Sequence, residues 1–201
     1  MIIISDPHGC YNTFRRLLRK CPDEQLVLAG DLIDRGPDSK SMVDFAIQNN
    51  IPTVCGNHED LCVSHHADFK HKCDYDRDLW LYNGGNYTLA SYPKRKVDPA
   101  HLNWMKELPL FLRFGDLLVS HTGHGTASSR MSALWCRDFQ FPKDGLFRVF
   151  GHTPHKEPYS GTNYTCIDTG CAYTDRGYGK LTAFLWPQMT VIQQDYDESP
   201  L

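Results

Sequence analysis

Five apolar runs in this chain each end by releasing a side chain that can bind a metal or move a proton. Met1–Ser5 gives way to Asp6-Pro7-His8-Gly9, and Gln25–Ala29 to Gly30-Asp31-Leu32-Ile33-Asp34-Arg35-Gly36. Pro52–Cys55 gives way to Gly56-Asn57-His58-Glu59. Val119-Ser120 leads into His121, and Val149-Phe150 into Gly151-His152-Thr153-Pro154. Open α/β sheets bind ligands where their strands release the chain at the carboxyl ends. Asp6, His8, Asp31, Asn57, His121 and His152 are therefore expected to meet at one edge of the core. All six are hard or borderline donors, and two metals sharing one bridging carboxylate would use such a set.

Between these motifs the apolar spacing alternates. Phe14, Leu17, Leu18 and Cys21 follow helical spacing behind Asn12 or Thr13 as N-cap. Met42, Val43, Ala46 and Ile47 share one face of a second helix, opened by Asp38 or Ser39. The first third thus reads β-α-β-α-β, which favours a parallel start to the sheet. Residues 58–106 read as a mostly helical lid or flank, broken at Gly84-Gly85. The second half is richer in strands, at Leu110–Phe114, Leu117–Ser120, Phe147–Phe150, Tyr164–Ile167, Leu181–Trp186 and Met189–Gln193. With no repeat or long linker, residues 1–201 read as one domain, and a monomer is the default.

Composition narrows the function classes. A net charge of −3 argues against a protein built to grip a nucleic-acid backbone. No apolar run approaches the roughly 20 residues of a bilayer span, so no membrane partner is expected. Eight cysteines without Cys-x-x-Cys spacing, and no signal peptide ahead of them, point to a reducing cytoplasm.

Asp-x-His-Gly, Gly-Asp-x-x-Asp-Arg-Gly, Gly-Asn-His-Glu and the later His121 and Gly151-His152-Thr153 elements resemble the signature of calcineurin-like metallophosphoesterases of the serine/threonine protein phosphatase type. The likeness extends to Trp80–Gly85, Glu107–Leu110, Leu134–Asp138 and Ile167–Gly170, nearly the whole chain. It is greatest towards the small bacteriophage and bacterial members. It implies an α/β metallophosphoesterase fold, a central β-sandwich of two mixed sheets flanked by helices, with metals at one edge. It also implies that Asp6 and His8 hold a first ion, Asp31 bridges, and Asn57, His121 and His152 hold a second. His58 matches the general acid, Asp34 its orienting carboxylate, and Arg35 and Arg137 the phosphate-binding arginines.

These roles suit the chemistry of the residues. A mixed Asp/His/Asn shell fits manganese first, with iron or zinc as alternatives. Two such ions can activate a shared water, whose hydroxide attacks a clamped phosphoryl group directly. Histidine titrates nearest neutral pH and can protonate a leaving alkoxide. Arginine presents a planar fork to phosphate oxygens. Glu59 reads as support for a helix start, Trp80, Tyr82 and Trp104 as packing, and His65, His66, His71 and Cys73 as a solvated tract near the rim.

The expected activity is hydrolysis of phosphomonoesters on a phosphoprotein or a small phosphoester substrate. The alternative is a symmetrical diadenosine tetraphosphate hydrolase on the same scaffold, which the resemblance associates with a nonpolar residue where Asp34 stands. A non-catalytic scaffold is disfavoured because all six donors and His58 are present.

Overall fold

Three consecutive isoleucines form β1 (Ile2–Ile4), and all three are buried. Such a strand needs cover on both faces. In a computed structural model, which describes residues 1–67, 79–123, 129–139 and 141–201, it has that cover. Ile3 points into a core shared by two sheets, with Val27, Val119, Val149 and Phe184. Ile2 and Ile4 point the other way, into a core shared with helix residues Phe14, Leu17, Met42 and Val43. The alternation follows from the period of two along a strand.

The first sheet runs β2 (Leu26–Leu28), β1, β8 (Lys180–Leu185), β9 (Thr190–Asp195). The second runs β3 (Phe111–Phe114), β4 (Leu117–Ser120), β5 (Phe147–Phe150), β7 (Tyr164–Cys166), β6 (Tyr159–Gly161). Both are mixed: β1 is parallel to β2 but antiparallel to β8, and β5 is parallel to β4 and β7 while β3 and β6 are antiparallel edges. Phe147 and Phe184 stack between the sheets with ring centroids 6.0 Å apart. This is the two-sheet α/β sandwich, with helices covering the outer face of the first sheet.

The parallel start extends only to β1 and β2. The third apolar run contributes a single bridge, Thr53 to Leu28. Pro52 has no N–H to offer, and the Cys55 N–H is taken by the Pro109 carbonyl at 2.7 Å, so the ladder stops there. The edge strand β6 and the helix α6 (Arg130–Trp135) lay outside the expected elements. All three β6 residues are exposed, so no apolar alternation marks it.

Helix α1 (Tyr11–Lys20) starts two or three residues earlier than its expected caps imply. Its N-cap is Cys10, and the free N–H groups of Asn12 and Thr13 donate to the Glu198 carboxylate at 3.2 and 2.9 Å. Helix α2 (Ser39–Gln48) opens as expected, with Asp38 accepting from the Ser41 N–H. Helix α3 (Asn57–His66) follows the third run directly, and α4 (Asn86–Ser91) and α5 (Pro99–Lys106) complete the helical flank. Among the described residues, no helix is long and apolar enough to cross a membrane.

Candidate metal centre

Strand ends from both sheets deliver the site. Asp6 and His8 follow β1, Asp31 follows β2, Asn57 and His58 open α3, His121 follows β4, and His152 follows β5. The backbone works hard to place them. Asp6, His8, Asp31, Asp34, Arg35 and His152 all have positive φ, between 44° and 72°. Non-glycine residues avoid that region, and such strain persists where the surrounding structure fixes it for a purpose. The neighbouring glycines are equally constrained: a Cβ on Gly56 would strike Asp31, and one on Gly151 would strike Asp6.

All ten candidate residues come together. Asp6, His8, Asp31, Arg35, Asn57, His58, Arg137 and His152 line one cavity of about 440 Å³. His121 and Asp34 lie behind that lining, each bonded to a residue in it. The cavity is also lined by Asn83, Trp135, Tyr173, Tyr178 and Asp168.

Asp31 divides the donors into two groups. Its Oδ2 lies 3.7 Å from His8 Nε2, and its Oδ1 lies 3.5 Å from His121 Nε2. Two three-residue clusters that could hold an ion share this carboxylate: His8, Asp31, His58 and Asp31, His121, His152. Ligands of one ion at roughly 2.0–2.2 Å lie roughly 3–3.5 Å from one another, so His121 already has that spacing to Asp31 and His8 lies slightly beyond it.

The ring tautomers suit it too. His8 Nδ1 donates to the Ile33 carbonyl at 2.9 Å, and His121 Nδ1 to the Ala29 carbonyl at 3.1 Å. Both Nε2 lone pairs therefore face inward. His121 Nε2, Asn57 Oδ1 and His152 Nδ1 form a triangle with sides of 2.9, 2.9 and 3.2 Å. Three electron-rich atoms with at most one proton among them are unsatisfied unless a cation joins them. At the other end, the Arg35 guanidinium contacts His8 Nε2, a positive group on an inward lone pair.

Electrostatics point the same way. Asp6, Asp31, Asp34, Glu59 and Asp168 are all buried. Burial holds the carboxyls of Asp6 and Asp31 well above their usual range, with Asp168 adding to the effect on Asp6 and Glu59 to that on Asp31. Burial also lowers the imidazoles, His121 to about 4 and His152 to about 2, and His8 well below its ordinary value. The site therefore combines neutral imidazoles with carboxyls deprived of solvent, a donor set that two divalent cations would complete.

Beside the donors, His58 Nδ1 meets Asp34 Oδ2 at 2.6 Å. Trp80 Nε1 donates to both Asp34 oxygens at 3.1 and 3.0 Å, and Thr88 Oγ1 donates to Oδ1 at 2.5 Å. Burial raises the Asp34 carboxyl to about 7 against these donors and the charge of Arg35. Trp80 and Thr88 are thus tied to the site, which sequence reasoning missed for both. For Trp80 the available signal was an indole N–H that needs an acceptor once buried. Tyr82, in contrast, is exposed rather than packed.

Glu59 does more than open α3. It accepts from the backbone N–H groups of Asp31, Leu32 and Gly56 at 2.8–2.9 Å, locking the loop of Asp31 to that of Asn57. Arg35 lies over the Tyr173 ring at 4.9 Å, and Arg137 reaches the His152 carbonyl at 3.5 Å. His65 and His66 contact the Trp80 ring at 4.8 and 5.2 Å. His71 and Cys73 lie outside the described residues.

Comparison with known proteins gives a consistent picture. The family model described as calcineurin-like phosphoesterase matches residues 1–182. Serine/threonine-protein phosphatase 1 of Salmonella typhimurium is 28% identical, over 85% of this chain and 86% of its own. An asymmetrical bis(5'-nucleosyl)-tetraphosphatase of Anoxybacillus flavithermus is 27% identical, over 94% and 91%. Among solved structures, the cold-active protein-tyrosine phosphatase of a psychrophilic Shewanella shares the fold with a TM-score of 0.62 at 17% identity, over 98% of this chain and 78% of that one.

Proposed function

Because the chain belongs to the calcineurin-like phosphoesterase family, we propose that it is a metal-dependent phosphatase that hydrolyses phosphoserine and phosphothreonine monoesters. The observation that carries this reading is the 2.6 Å contact between His58 and Asp34 beside the Asp31-bridged donors. An alkoxide is a poor leaving group and needs a proton as it departs. Asp34 holds the Nδ1 edge of His58, which turns Nε2 towards Asp31 Oδ2 at 3.8 Å, on the cavity side. A proton carried on Nε2 would face the leaving oxygen, and the Asp34 carboxylate would offset the imidazolium charge that burial and Arg35 oppose.

Asp6, His8 and Asp31 would hold one cation, and Asp31, Asn57, His121 and His152 the other, with manganese the expected metal. Two bound cations would supply Lewis acidity and an activated water for in-line displacement. Arg35 and Arg137 line the same cavity from different loops and would clamp the phosphoryl oxygens. The chain is expected to act as a cytoplasmic monomer on a phosphoprotein or a small phosphoester, without nucleic-acid or membrane partners.

The second reading is hydrolysis of a dinucleoside tetraphosphate. It is favoured by the tetraphosphatase relatives, which span more of the chain than the phosphatase relative does. Those relatives are named as asymmetrical enzymes, whereas the sequence resemblance suggested the symmetrical class. A side-by-side manganese-dependent assay of a phosphoserine peptide, a phosphotyrosine peptide and diadenosine tetraphosphate decides between them. The first reading expects the highest kcat/KM on phosphoserine. A clear preference for the dinucleotide overturns it in favour of the second.

A further inference from the structure

Strands β5 and β7 run parallel, with Phe150 paired to Cys166. Asp168 lies two residues beyond that pair on β7, as His152 does on β5. The loops stay fastened past the last strand pair, with the Ile167 N–H on the Phe150 carbonyl at 2.8 Å and the His155 N–H on the Asp168 carbonyl at 3.0 Å. Asp168 is 3% exposed and lines the cavity together with Asp6, His8 and Asp31.

One of its oxygens has a structural task. Asp168 Oδ1 accepts the Gly170 N–H at 2.9 Å and shapes the turn that follows. An asparagine oxygen would serve that turn equally well. The negative charge is surplus to the turn, and it is expensive, because Asp168 is the foremost charged neighbour of the buried Asp6. Arg35 and Arg137 are the positive groups that act on Asp168. Both also have work elsewhere, Arg35 on His8 and Tyr173 and Arg137 on the His152 carbonyl.

We propose that Asp168 is a positioning residue of the metal centre, holding through water the cation that Asp6 and His8 face. The inference rests on the metal-dependent reading of the site. A third carboxylate beside Asp6 and Asp31 raises the negative potential at that end of the cavity and orients the ion's water shell. Outer carboxylates of this kind contribute roughly 10–100-fold to metal affinity.

The test is manganese titration of the chelator-treated wild type, Asp168→Asn and Asp168→Ser, followed by isothermal calorimetry and by the electron paramagnetic resonance signal of free manganese. Both substitutions leave an acceptor for Gly170, and circular dichroism melts report the fold. Wild type is expected to bind two ions. Each variant is expected to keep one near wild-type affinity and to bind the other roughly 10–100-fold more weakly. Two ions at wild-type affinity in a folded variant overturn the proposal and leave the metal reading intact. Loss of the fold in both metal-free variants assigns Asp168 to the turn and overturns it as well. A wild type that binds no manganese removes the metal reading and this inference together.

Discussion

His58 Nδ1 lies 2.6 Å from Asp34 Oδ2, and both side chains are buried. A pair so enclosed, held by Trp80 and Thr88 from behind, fixes one edge of the imidazole and frees the other for substrate. His58→Ala is expected to lower turnover of a phosphoserine peptide by roughly 10²–10⁴-fold. An aryl phosphate, whose leaving group needs no proton, should lose far less. Equal losses on both substrates would remove His58 from the acid role, and so would unchanged turnover of the peptide.

Asp31 offers one oxygen to each cluster, so its loss should empty both. Asp31→Ala is expected to bind neither cation, whereas His152→Ala should retain one. Elemental analysis after dialysis against low manganese reads the stoichiometry directly. Two equivalents in Asp31→Ala would refute the bridge.

Much of this site was legible in the chain because its donors sit a fixed few residues beyond apolar runs. Asp6, Asp31 and His152 are each two or three residues past a strand end, and the local pattern shows that without any knowledge of partners. What the pattern hides is pairing across long separations. Nothing near Ile2 announces that Leu185 lies opposite it in an antiparallel register, so a purely parallel start was the natural reading. Nothing near Thr13 announces Glu198, and nothing near Asp34 announces Thr88. Asp168 sat in plain view after an apolar run, but the motif accounts for six ligands without it.

The cap on α1 is long-range and therefore testable in isolation. Glu198 accepts the N–H groups of Asn12 and Thr13 and the Thr13 hydroxyl, in place of a local cap residue. Glu198→Ala leaves those donors unpaired at the positive end of the helix dipole. The expected cost is about 1 kcal/mol, or a fall in Tm of roughly 2–4 °C for a chain of this size. Manganese stoichiometry should not change, since the contact lies on the far side of Cys10 from His8. A melting temperature equal to wild type would show that water replaces the carboxylate at no cost.

In the metal-free protein, burial holds the Asp6 and Asp31 carboxyls well above their usual range, while His121 falls to about 4 and His152 to about 2. Protons therefore compete with an incoming cation for these carboxyls at a higher pH than is usual for Asp, while His121 and His152 are already neutral at pH 7. Binding a cation favours the ionised carboxylate, so it must expel those protons, and affinity must rise with pH. Ordinary carboxyls would have none to release at pH 7, and ordinary histidines few. Calorimetric titration with manganese at pH 7, in two buffers of different ionisation enthalpy, counts the protons. Net release at pH 7, with weaker binding at pH 5.5, is the expected outcome. Zero release at pH 7 would mean that the carboxyls are already ionised, which would place the compensating positive charge on Arg35 and Arg137.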